Sequence, residues 1–186
     1  KWIEAKSEFT LDEHGKLKKG TGSVQDITER KLAEMTLVKF KTAIESSGEA
    51  IFMTDTKGII TFINPEFTKL YGYSIEEVVG KMTPRILKSG QRTQEQYQTF
   101  WKTILGGDIA RTELVNKTKD GHMLNIDEVV NPIIEKSGKM IGFLATHRDI
   151  TEHKKIEQKI IDEKAIDEAI LESVGEGVYG TNLEGE

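Results

Sequence analysis

Four histidines, the carboxylate pairs Glu76-Glu77 and Asp127-Glu128, and a scatter of glycines are what this chain of 186 residues offers to catalysis; it has no cysteine. Without cysteine there is no disulfide, no thiolate metal site and no sulfur nucleophile. His14, His122, His147 and His153 fall at turns, on a late strand and at the start of an exit helix, and read as solvated or structural. His153 opens a helix as a phosphoacceptor would, but Lys154 and Lys155 follow it where an acidic residue is usual. Glu76-Glu77 reads as a solvated helix face and Asp127-Glu128 as part of an alternating strand. The glycines punctuate turns, and no Gly-Lys-Ser/Thr run occurs to cradle a phosphate. The segment is therefore expected to bind or signal and not to catalyse.

Bulk properties narrow the partners. The net charge is −5, with 26 basic and 31 acidic residues mixed along the chain, so no basic stripe is available to neutralise phosphates, and nucleic acid is not an expected partner. No apolar run reaches the roughly 18–20 residues needed to span a bilayer, and Lys1-Trp2-Ile3-Glu4 does not resemble a signal peptide. Cysteine-free composition fits a reducing cytoplasm, with any membrane anchor lying outside the segment.

The elements that must position these residues are organised by a repeat. Gln25-Asp26-Ile27-Thr28-Glu29-Arg30-Lys31 recurs as Arg148-Asp149-Ile150-Thr151-Glu152-His153-Lys154, a period of 123 residues. Upstream of each copy lies a Gly-Lys turn (Gly15-Lys16, Gly138-Lys139) between strand-like stretches; downstream lies Glu-Ser-x-Gly-Glu, at Glu45–Glu49 and Glu172–Glu176. The implied organisation is an array: the tail of one unit at 1–28, a linker helix at 29–43, a complete unit at 44–151, a second linker helix at 152–171, and the head of a third unit at 172–186. Both linkers lack Gly and Pro and are rich in helix formers. Ile156, Ile160, Ile166, Ile170 and Val174 form an imperfect stripe along the second. That stripe suits either a parallel coiled coil between two chains or a helix docked on its own domain. From Asp to Glu the linkers differ by four residues, about one turn, which adds roughly 6 Å and about 40° of rotation. The strand-like residues 177–181 are expected to offer an edge to the stretch Leu17–Val24.

Within the complete unit, Ala50–Thr54 and Ile59–Ile63 read as strands about the turn Asp55-Thr56-Lys57-Gly58. Asn64-Pro65 caps and starts a helix carrying Phe67, Leu70 and Tyr71 inward, which Gly72 stops. Ser74 and Glu77 form a capping box for the next. Thr93–Leu105 is the longest internal helix, with Tyr97, Phe100, Trp101 and Ile104 on its apolar face. Strands at about 110–118, 122–134 and 139–148 follow. Two strands, a helix cluster and three strands define an α+β domain with helices over one sheet face.

The runs Phe62-Ile63-Asn64-Pro65-Glu66-Phe67 and Tyr71-Gly72-Tyr73-Ser74-Ile75-Glu76-Glu77-Val78-Val79-Gly80 resemble the signature of the PAS family. So do Leu114-Val115-Asn116 through Gly121 and the closing His147-Arg148-Asp149-Ile150-Thr151-Glu152. The resemblance implies a five-stranded antiparallel sheet of order 2-1-5-4-3 with a pocket under its helices. It also implies a sensory role in a larger protein, of the sensor kinase or diguanylate cyclase type, relayed through terminal helices, with homodimerisation common. The alternative is a ligand-free scaffold that holds partners together.

Three kinds of occupant stay open for the pocket: a flavin, another small molecule, or none. The stretch from Leu87 to Trp101 with Leu114-Val115-Asn116 resembles the FAD-binding PAS domains of nitrogen-fixation redox regulators, in which a Trp at the place of Trp101 and an Asn at that of Asn116 surround the flavin. Phe52 stands where those flavoproteins carry a serine, and their loop glutamate is replaced near Pro84. Phe52, Ile86, Trp101, Asn116 and Asn125 are the candidate pocket residues. Haem is not expected, since Thr93–Leu105 supplies no axial histidine, and a cysteinyl FMN adduct is excluded.

Overall fold

A computed structural model describes residues 1–176, with side chains through residue 170. It comprises two units, Lys1–Ser47 and the chain from Gly48 onward.

In the first unit β1 (Ile3–Leu11) and β2 (Leu17–Asp26) pair antiparallel and are followed by α1 (Thr28–Glu45). In the second, β3 (Ala50–Thr54) and β4 (Ile60–Ile63) precede α2 (Pro65–Tyr71), α3 (Ile75–Val78), a 3-10 turn (Pro84–Leu87) and α4 (Gln94–Leu105). Strands β5 (Ala110–Lys117), β6 (Met123–Ile134) and β7 (Met140–Asp149) and the helix α5 (Thr151–Glu176) complete it. The five strands form one antiparallel sheet in the order β4-β3-β7-β6-β5, which is the expected 2-1-5-4-3 of the unit.

Local chemistry explains the helix boundaries. Asn64 caps α2 by accepting from the Phe67 amide at 3.0 Å, Pro65 fills the first helical position, and Gly72 ends the helix at φ 78°. Capping boxes Ser74/Glu77 and Thr93/Gln96 start α3 and α4. The same Asn64 side chain reaches β3, accepting from Ile51 N at 2.8 Å and donating to Glu49 O at 2.9 Å, so one buried amide ties the first helix to the first strand.

The core lies between the sheet and α2–α4. Phe52, Ile60, Ile63, Ile126, Val130, Phe143 and Ala145 face Phe67, Tyr71, Val78, Leu87 and Ile104. Inward residues fall at every second position of β6, with Ile126, Glu128 and Val130 buried, as the pleat requires. At Gly142 the sheet has no room for a side chain: a Cβ there would overlap the Thr54 carbonyl oxygen on β3.

The sequence repeat is rebuilt bond for bond. In the hairpin β1–β2, Ile3 opposes Asp26 and the register slips before Leu11; in β6–β7, Ile126 opposes Asp149 and the register slips before Ile134. Each of those positions is displaced by the 123-residue period. Asp26 Oδ1 accepts from Thr28 N at 3.0 Å and Asp149 Oδ1 from Thr151 N at 2.8 Å. The two threonine hydroxyls accept from Trp2 N and Asn125 N at 2.8 and 2.9 Å. The amides of Ile27 and Ile150 donate back to Trp2 O and Asn125 O. The Asp-Ile-Thr motif is thus a clamp that launches a helix from the open end of a hairpin.

Expected and observed boundaries differ most in the linkers. The first helix runs Thr28–Glu45 and stops at Ser46, whereas α5 continues past the expected 171 to Glu176, carrying the second Glu-Ser-x-Gly-Glu element inside the helix. The expected strand at 177–181 lies outside the described residues.

Candidate functional site

A cavity of about 460 Å³ opens between the sheet face and the segment from Thr83 to Ile104. Its floor is aromatic and aliphatic: Phe52 from β3, Val130 from β6, and Phe143 and Ala145 from β7. Trp101 and Phe100 from α4 form one wall, and Leu114, Val115 and Asn116 from β5 another. The loop after the 3-10 turn is fastened to β5, because Ser89 Oγ donates to Val115 O at 2.5 Å and Lys88 bridges to Asn116. This fastening holds the cavity mouth in place.

Of the five residues expected at the pocket, the structure brings together three. Phe52, Trp101 and Asn116 line the cavity; Ile86 and Asn125 do not. Ile86 is packed half-buried against the core from the 3-10 turn. Asn125 lies on β6 with parity opposite to Ile126 and Glu128, and its backbone serves the helix-launching clamp. Trp101 is not the core residue its helical spacing suggests. It packs edge-on to Phe143 with centroids 6.4 Å apart and keeps 42% of its surface exposed, so the indole forms a wall of the cavity and leaves part of its face open.

Sequence reasoning missed the polar system behind the cavity. Asn116 Nδ2 donates to Tyr71 Oη at 3.0 Å, and Tyr71 Oη lies 2.7 Å from His147 Nδ1. Because the phenol accepts from Asn116, its own proton is directed to Nδ1, and the His147 proton then sits on Nε2, which donates to Glu128 Oε1 at 3.1 Å. Glu128 Oε2 meets Arg92 Nη1 at 3.5 Å. The chain Asn116–Tyr71–His147–Glu128–Arg92 leaves the cavity wall, passes through the core and returns to the cavity. Phe52 packs edge-on to His147, with centroids 5.0 Å apart, and Phe67 against Tyr71 at 5.1 Å. Burial pushes the Tyr71 phenol well above its ordinary range, and the nearby Glu128 carboxylate pushes the same way, while Asn116 opposes them. The missing signal was the parity of β6: an acid between two core aliphatics at i−2 and i+2 points inward and must find partners there.

The mouth is basic. Lys57, Arg85, Lys88 and Arg92 line the cavity, and Glu128 is the one carboxylate among its described lining residues. Lys88 Nζ lies 4.2 Å from the Tyr97 ring centroid, and the Arg92 guanidinium 4.6 Å from that of Phe100 and 5.1 Å from that of Tyr97. Among the described residues no group of three or more His, Asp or Glu is spaced to hold a metal ion. No described helix is long and apolar enough to cross a membrane.

A five-stranded antiparallel sheet in this order, with short helices and a cavity over one face, defines an α+β module of the PAS type. The chain belongs to the PAS family: the family model for the PAS fold matches residues 39–150. It is 32% identical over 135 residues to a nitrogen fixation regulatory protein of Klebsiella pneumoniae, covering 73% of this chain and 27% of that one. It is 25% identical over 162 residues to a probable diguanylate cyclase of Escherichia coli, covering 83% of this chain and 14% of the other. Among solved structures, the PAS domain of a Colwellia psychrerythraea protein superimposes with a TM-score of 0.58 at 28% identity, covering 63% of this chain and 98% of that one. The chain thus spans about a quarter or less of the curated relatives it matches. It is a signal-transduction module of the kind found in sensory proteins.

Proposed function

We propose that this segment belongs to a longer protein in which PAS units follow one another, that its complete unit binds a small molecule in the 460 Å³ cavity, and that α5 relays occupancy onward. The observation that carries the reading is the polar chain behind the cavity. It runs from cavity-lining Asn116 and Glu128 to His147 on β7, and β7 ends in the Asp149 clamp that launches α5. A ligand that repositions Asn116 or Glu128 acts on the strand that sets the helix. The array is supported by the matching hairpins and by the exposed apolar side chains Ile3, Phe9, Leu17 and Val24 on β1–β2, with Trp2 just before them, which fit a surface completed by a further core.

Trp101 and Asn116 on the cavity walls favour a flavin as one occupant, since a planar ring can stack and an amide can both donate and accept. The test is the absorption spectrum of protein purified without added cofactor. Bands at about 375 and 450 nm, those of an oxidised flavin, make this a flavin sensor; aromatic absorption alone removes flavin and leaves a colourless ligand.

A second reading, a scaffold that joins chains with its pocket unused, is favoured by the exposed isoleucines of α5. Dimerisation with no ligand-dependent shift in melting temperature would support it.

A further inference from the structure

The cavity is basic in a chain that is acidic. The chain carries a net charge of −5, yet four cationic residues and one carboxylate line this single concavity. Three of those cations, Arg85, Lys88 and Arg92, come from the segment between α3 and α4, and Lys57 comes from the β3–β4 turn. They gather at the mouth, while the floor, Phe52, Val130, Phe143 and Ala145, is apolar.

Arg92 is the informative member. Its side chain is only 15% exposed, and a guanidinium taken so far from water needs partners for five N–H groups. Its one carboxylate contact is a single 3.5 Å approach to Glu128, which is long and not bidentate, because that carboxylate already accepts from His147 through its other oxygen. The stacked faces of Tyr97 and Phe100 fix the plane of the guanidinium without using its N–H groups. A preorganised arginine with spare donors, beside a lysine on the same loop, is the arrangement that grips an oxyanion.

We infer that the cavity takes an amphiphilic acid: a planar apolar body on the Phe52–Phe143 floor and one carboxylate, sulfonate or phosphate at the mouth, held by Arg92 and Lys88. This rests on the reading that the cavity binds a ligand and adds its chemical class. Four cations face one carboxylate at the mouth, and an anion bound there offsets their like charge. Glu128 is the internal counter-charge of Arg92 and competes with an anionic ligand for it. Its removal therefore strengthens anion binding.

The test uses a matched pair of probes, 8-anilinonaphthalene-1-sulfonate and the neutral N-phenyl-1-naphthylamine, read by quenching of Trp101 in a Trp2→Phe background, where Trp101 is the remaining tryptophan. Because Trp101 lines the cavity, a probe bound there quenches it; the naphthyl dyes also accept its energy from beyond contact, so the Lys88→Met and Arg92→Met variants assign the quenching to the cavity. The sulfonate is expected to bind at least about tenfold more tightly than the neutral probe. Lys88→Met and Arg92→Met should each erode that preference with the neutral probe unaffected, and added salt should erode it too. Glu128→Gln should move it the opposite way, which keeps the test sharp if Arg92→Met folds poorly. Flavin mononucleotide against riboflavin identifies the source of the anion: a preference for the mononucleotide assigns a flavin phosphate, and sulfonate binding without either flavin assigns a different acid. Equal quenching by both naphthyl probes would overturn the anionic class while leaving ligand binding intact. Quenching by neither would overturn ligand binding itself, and this inference with it.

Discussion

At the residue scale the decisive group is the Tyr71 phenol, which is fully buried between Asn116 and His147. Its proton is committed to His147 Nδ1, and burial holds its ionisation far above that of an exposed tyrosine. The folded state therefore keeps this proton at a pH where the unfolded chain releases its own. Above about pH 10, where the unfolded tyrosine ionises, the unfolded state binds fewer protons than the folded one and stability falls as pH rises. The wild type should lose stability between about pH 10 and 12 more steeply than Tyr71→Phe, as read by urea denaturation across that range. At neutral pH the same variant should be less stable by about 1–3 kcal/mol, since it leaves the Asn116 amide and His147 Nδ1 buried without their partner. Equal slopes in the two proteins would mean that Tyr71 ionises as freely folded as unfolded. Part of the cavity lining was legible in the sequence at this scale: of the five candidates, Phe52, Trp101 and Asn116 line it. Ile86 and Asn125 do not: the 3-10 turn packs Ile86 against the core, and the pleat of β6 gives Asn125 the parity opposite to Ile126 and Glu128. The polar chain was hidden because its members lie 76, 45 and 19 residues apart, each bland in its own neighbourhood.

Elements were more legible than side chains, since caps and turns are local. The limits of β3 and the starts of α2 and α3 follow from Asn64, Pro65, Ser74 and Gly72 within a residue or so. The two linker helices were harder. Each is bounded at its start by a strong clamp, but the Gly-containing element that follows the first helix lies inside the second, which continues to Glu176. The clamp makes a prediction of its own. Asp149→Ala removes the acceptor for Thr151 N and should cost about 1 kcal/mol, with faster amide hydrogen exchange confined to the first turn of α5. Asp26→Ala should do the same to α1, because the bonds are the same ones displaced by the repeat. An unchanged exchange profile at both junctions would mean that the hairpin backbone alone sets the helices.

On the scale of the whole molecule, the apolar surface that the two units leave exposed asks for a partner. On α5, at about 100° per residue, Ile156, Ile160, Ile166 and Ile170 fall within an arc of about 120°, the width of a packing stripe. On α1 the exposed apolar residues Leu32, Met35, Leu37, Val38 and Phe40 are spread around the helix among charged ones, so covering them takes more than one neighbour. A second copy of the chain supplies such neighbours at no cost in new surface, with the α5 stripes meeting in a parallel pair as the sensory reading requires. The chain is therefore expected to sediment as a dimer at micromolar concentration, and Ile156→Lys combined with Ile160→Lys to shift it toward monomer, with the five-stranded sheet unaffected because neither residue belongs to the core. Dimerisation that survives this double substitution would move the contact to α1 or to the sheet. A wild-type chain that stays monomeric at high concentration would remove the parallel-helix relay, and would leave the α5 stripe to dock within a single chain.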